Sequence, residues 1–218
     1  DLVVVYAHGG GFCLGSPGTA LPITARLARH HEVVSVDYRL APEHPAPAAI
    51  DDVAAVAATV MASGRPVVLV GDSAGGFLAL VAAQRWLHHL EPPERASSHG
   101  LLRGIVGLSP VVEIPAAPEP LLAAFAAEGS WSAIDCPDPG GATSGPPWPP
   151  VLFQSTDAEA IHSSVRKAAA RLAARGGCVR HQVWTGLWHA WHYHRELPEA
   201  RQALDEVSAW IDDRRSVG

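Results

Sequence analysis

A serine stands between two glycines in Gly71-Asp72-Ser73-Ala74-Gly75, directly after the apolar run Val67-Val68-Leu69-Val70 and before an Ala- and Leu-rich stretch. Strand, sharp turn and helix in that order put the serine on a strained turn, where side chains at 71 and 75 would collide with neighbouring backbone. Ser73 Oγ would then project from the carboxyl end of a sheet at the N-terminus of the next helix, whose dipole favours developing negative charge. That setting suits a nucleophile for acyl transfer.

Acyl transfer also needs donors for the oxyanion of its tetrahedral intermediate. His8-Gly9-Gly10-Gly11-Phe12 follows the first apolar run, Leu2 to Tyr6, and three consecutive glycines exceed what a strand-to-helix turn requires. They free backbone N–H groups to face a ligand, and no Lys-Ser or Lys-Thr follows to make a phosphate loop. Gly10 and Gly11, joined by the N–H of Ala74 after the nucleophile, are the expected oxyanion donors. His8 reads as a residue that fixes this loop.

The serine requires a base, and the base a carboxylate that holds its tautomer. The motif around Ser73 carries a chain order of serine, acid, histidine at the ends of successive strands. Asp157 stands shortly after the run Val151-Leu152-Phe153, and His189 follows the run Val179 to Trp184, so Ser73, Asp157 and His189 are the expected triad. Thr156-Asp157 would equally serve a helix N-cap, and Glu159 is the alternative acid. His192 and His194 compete with His189 but read as solvated or packed polar positions at the start of the last helical region. No carboxylate or cysteine set completes a metal site with them, so neither metal nor cofactor is expected. Trp184, Trp188 and Trp191 offer an apolar wall suited to an acyl or aryl group.

The elements that must position these residues are legible as β-branched runs at 2–6, 33–36, 67–70, 105–108, 151–153 and 179–184. Apolar on both sides, they suit a buried parallel sheet. Helical stretches are expected at about 18–31, 48–62, 74–90, 158–175 and 197–214. Alternation of the two predicts an α/β fold with right-handed crossovers and helices on both faces of a mostly parallel twisted sheet. Residues 1–218 read as a single domain; 110–150, holding about half of the 19 prolines, form a lid-like excursion with a short helix at Leu121–Glu128.

Composition narrows the partners. A net charge of −6, a pI near 6.0 and 16 Lys+Arg without a long run leave no footprint for nucleic acid or an anionic membrane. No stretch approaches the ~20 apolar residues of a membrane span. Cys13, Cys136 and Cys178, an odd number at wide spacing, argue against a disulfide framework and for a reducing, cytoplasmic location.

Taken together, His8-Gly9-Gly10-Gly11-Phe12, Gly71-Asp72-Ser73-Ala74-Gly75-Gly76 and Asp37-Tyr38-Arg39-Leu40-Ala41-Pro42-Glu43-His44-Pro45 with Asp51-Asp52 resemble the hormone-sensitive-lipase-like carboxylesterases of the α/β-hydrolase superfamily. The resemblance covers nearly the whole chain from residue 2. It implies hydrolysis of short-to-medium acyl esters of small molecules through an acyl-enzyme without a cofactor, with the stretch from Asp37 to Pro45 bracing the oxyanion loop. Homodimerisation through the last strand, near Val179 to Trp184, is a further implication. The chain departs from the family in three ways: residue 1 already adjoins the first strand, the stretch from Pro110 to Pro150 is short, and Ser155 and Trp188 stand where glycine and proline are commoner. These imply a reduced cap and an open site. An amidase or peptidase on the same fold and a non-catalytic hydrolase-fold binding protein are the alternative readings.

Overall fold

Alternate residues of the first strand feed two different apolar cores, and the architecture follows from that. The computed structural model describes residues 1–89, 100–114, 131–132 and 148–215. In β1 (Val3–Ala7), Val3, Val5 and Ala7 enter one buried cluster while Val4 and Tyr6 enter the other. A strand with apolar side chains on both faces is stable only with cover on both sides. That cover comes from helices.

The sheet has six strands in the order β2-β1-β3-β4-β7-β8, all pairs parallel. These are β1, β2 (Glu32–Val36), β3 (Val67–Asp72), β4 (Leu102–Leu108), β7 (Val151–Thr156) and β8 (Val179–Trp184). A two-residue antiparallel ladder joins β5 (Glu113–Ile114) to β6 (Trp131–Ser132). One face packs α2 (Ala48–Ala62), α3 (Ala74–His89) and α4 (His162–Ala174); the other packs α1 (Leu21–Leu27) and α5 (Pro198–Asp212). In α5 the buried positions Ala200, Ala203, Leu204, Val207 and Ile211 recur at helical spacing, so one stripe of that helix meets the sheet.

The expected α/β-hydrolase architecture is present. The expected strands fall on observed ones, most of which run a few residues further, and α2 spans the expected 48–62. Most of the stretch 110–150, with the helix expected at Leu121–Glu128 and Cys136, lies outside the described residues. Among the described residues Cys13 and Cys178 form no disulfide. Among the described residues no helix is long and apolar enough to cross a membrane.

Candidate active site

The turn from β3 to α3 carries Ser73 with φ at 48°, in the left-handed region that non-glycine residues seldom occupy. Two strand-end contacts hold it there: Ser73 N–H donates to the Leu108 carbonyl at 2.9 Å, and Val111 N–H donates to the Ser73 carbonyl at 2.9 Å. The turn lies so close to β1 that a Cβ on Gly75 would sit 2.0 Å from the Ala7 carbonyl oxygen. Only glycine fits, as the spacing predicted.

His189 comes from the loop after β8. Its Nε2 lies 2.8 Å from Ser73 Oγ and its Nδ1 2.8 Å from Glu159 Oε2. A carboxylate only accepts, so Nδ1 carries the proton and Nε2 is free to accept from the serine hydroxyl. The Glu159 side chain is 1% exposed. Its other oxygen accepts the Thr156 N–H at 3.0 Å, which pulls the carboxylate back toward the end of β7.

This corrects the expected acid. Asp157 does not meet His189: it lies one residue beyond β7, exposed, and its Oδ1 accepts the Gly186 N–H at 2.9 Å. It holds the turn leading to His189, and the carboxylate that meets His189 is that of Glu159. The competing histidines are also placed. His192 is wholly buried, donating from Nε2 to Gln154 Oε1 at 3.0 Å, and burial pushes its pKa down to about 3, so it stays neutral. His194 lies against Glu196 at 3.2 Å and meets Trp188 edge-on.

The glycine loop adopts a run of left-handed residues, Gly10, Gly11 and Phe12 at φ 118°, 60° and 67°. The Gly10 carbonyl accepts from Cys13 and Leu14 N–H at 3.2 and 2.9 Å. Because a trans peptide is planar, the Gly11 N–H points the opposite way from that carbonyl. Ala74 is fully buried at the start of α3, beside Ser73.

What fixes this loop went unread in the sequence. Asp72, 1% exposed, accepts three hydrogen bonds: from Tyr6 Oη at 2.6 Å, from Gly9 N–H at 2.9 Å and from Tyr193 Oη at 3.0 Å. Burial raises its pKa despite these donors, and it raises Tyr6 and Tyr193 as well. One carboxylate thus joins β1, the glycine loop and the segment after His189. The only sequence signal was its position at the strand end beside the serine. His8 acts as expected, its Nδ1 donating to the Gly9 carbonyl at 2.7 Å while Tyr38 Oη donates to its carbonyl at 2.7 Å and the two rings stack. The bracing implied for residues 37–45 is seen in Ala41 N–H donating to the Phe12 carbonyl at 3.0 Å and in the Arg39–Asp52 pair.

Among the described residues no group of three or more His, Cys, Asp or Glu could hold a metal ion. The parallel sheet, the serine turn and the histidine loop define an α/β hydrolase, and residues 4–193 match the pattern of the alpha/beta hydrolase fold family. The chain belongs to that family. It is 31% identical over 241 residues to the carboxylesterase/phospholipase LipF of Mycobacterium tuberculosis, covering 97% of this chain but 62% of LipF. An acetyl-hydrolase of Streptomyces hygroscopicus is 29% identical over 95% of this chain and 74% of its own length. Among solved structures, an esterase from the bacterial hormone-sensitive lipase family superposes with TM-score 0.81 at 26% identity, covering 99% of this chain and 77% of that one. The esterase of Pyrobaculum calidifontis does so with TM-score 0.77 at 29% identity, covering 97% and 76%. The resemblance drawn from the motifs is borne out.

Proposed function

We propose that the chain is a serine carboxylesterase acting on short-to-medium acyl esters of small molecules. The observation that carries this reading is the unbroken hydrogen-bonded line from Ser73 Oγ through His189 to Glu159. Ser73 Oγ attacks the ester carbonyl carbon as His189 Nε2 takes its proton. Glu159 keeps the imidazole in the required tautomer and stabilises the imidazolium. The N–H groups of Gly10, Gly11 and Ala74 receive the oxyanion, each such donor contributing about 3 kcal/mol to the transition state. Collapse expels the alcohol, which takes its proton from His189. Water then attacks the acyl-Ser73 ester by the same route and releases the acid. The relatives named esterase, carboxylesterase and acetyl-hydrolase support the choice of an ester over an amide.

The proposal includes one catalytic domain with 110–150 as a lid-like excursion, a cytoplasmic location, and pairing of two copies along β8, a sheet edge where Val183 is exposed. The test is hydrolysis of p-nitrophenyl esters from acetate to palmitate by the chain and by Ser73→Ala. We expect fastest turnover among acetate to hexanoate and a loss of about 1,000-fold or more in the variant. Faster turnover of palmitate than butyrate overturns the substrate class. Undiminished turnover by Ser73→Ala overturns the nucleophile.

A further inference from the structure

A cavity of about 200 Å³ lies between α1, α5 and the segment that follows His189, and the hydrolytic chemistry leaves it unused. Four guanidinium-bearing residues line it: Arg26, Arg29, Arg195 and Arg201. In a chain of net charge −6 with 16 Lys+Arg in all, that is a local reversal of sign. Two of the four are committed to the protein. Arg26 forks onto Asp205 at 2.9 and 2.6 Å, and Arg201 Nη1 donates to the carbonyls of Arg195 and Glu196 at 2.9 and 3.1 Å. The side chains of Arg29 and Arg195 are exposed and have neither a hydrogen bond nor an ion pair among the described residues. Glu196, the acid next to Arg195, lies against His194 at 3.2 Å and is also stabilised electrostatically by Arg195, without a hydrogen bond or close ion pair between the two. His192, which also lines the cavity, is buried and neutral, with its Nε2 given to Gln154 and its Nδ1 unpartnered.

Two open planar forks on separate elements, inside a frame of two anchored cations, match an anion with several oxygens directed differently. A carboxylate offers one edge and satisfies one fork. A phosphoryl group offers three or four oxygens and can take both. The volume falls below the ~300 Å³ at which pockets for drug-sized ligands begin, so the ligand is small. We propose that this cavity binds a phosphate-bearing small molecule through Arg29 and Arg195, with Arg201 supplying a fixed positive charge while Arg26 is balanced by Asp205. A ligand held there ties α1 to the chain just beyond His189.

The test is titration calorimetry on the full chain at constant ionic strength, with inorganic phosphate, glycerol 3-phosphate and acetate as probes. We expect saturable binding of one or both phosphoryl probes, weakened at least tenfold by Arg29→Gln and by Arg195→Gln. Tighter binding of glycerol 3-phosphate identifies a phosphate monoester as the ligand class, and tighter binding of phosphate the free ion. Acetate binding as tightly as either, affinities unmoved by the substitutions, or no saturation by about 10 mM phosphate each overturns the proposal. Neither arginine makes a structural bond with its side chain, so the variants keep the fold. The readout is binding, and it stands or falls separately from ester hydrolysis.

Discussion

A glutamate side chain carries one methylene more than an aspartate, and past the end of β7 the carboxylate that meets His189 is the one two residues further along. Asp157 follows the strand directly, yet its carboxylate faces the turn at Gly186; Glu159 reaches back to the Thr156 N–H and to His189. We therefore expect Glu159→Gln to lower kcat/KM on a butyrate ester by roughly 100- to 10,000-fold, the range in which losing a triad carboxylate falls. Asp157→Asn retains an oxygen for Gly186 and should stay within a few-fold of the parent chain. A reversed ranking of the two would restore Asp157 as the acid. Motif and chain order singled out Ser73, His189 and the glycine loop, and Ser73 and His189 do meet in the fold. The choice between two carboxylates two residues apart depends on how a turn folds, which spacing does not encode. The tyrosines on Asp72 were hidden for a related reason: residues 6 and 193 meet there only through the tertiary fold.

At the scale of elements, the β-branched runs and the alanine-rich helices were readable because each satisfies its own periodicity. The ends of two helices were not. α1 was expected over 18–31 and forms only Leu21–Leu27, since Ser16 and Thr19 bond to each other's backbone ahead of it. α4 was expected from 158 and begins at His162, because the turn holding Glu159 occupies what would have been its first residues. The β3–α3 turn gives a sharper test. A methyl on Gly75 would meet backbone at 2.0 Å, whereas Gly64, at φ 79°, has open space around its Cβ position. Gly75→Ala should thus fail to give folded, active protein. Gly64→Ala should lose about 1–2 kcal/mol in a denaturant titration, the cost of a left-handed alanine. Equal losses for the two would mean that β1 does not press on the turn as described.

For the whole molecule, buried ionisable groups set the pH range of stability. Burial lowers the pKa of His31, His181 and His192 below the ordinary 6.5. Their unfolded forms take up protons that the fold refuses, so stability is complete above about pH 6.5 and declines below it. His192 alone contributes a limiting slope of about 1.4 kcal/mol per pH unit. Burial raises Tyr6, Tyr38 and Tyr193 above 10, so stability is complete below pH 10 and is lost as pH climbs past it. Unfolding free energy measured from pH 5 to 11 should form a plateau with both shoulders, and an undiminished value at pH 5 would contradict the buried, neutral state of His192. The carboxylate of Asp72 has a different consequence, one of timing. Its donors Tyr6 and Gly9 emerge from the ribosome before Ser73, whereas Tyr193 emerges after both Glu159 and His189. A nascent chain displaying Ser73 and the glycine loop therefore still lacks the histidine and the carboxylate that line up with that serine, and the cluster is complete only after all six strands of the sheet have been synthesised.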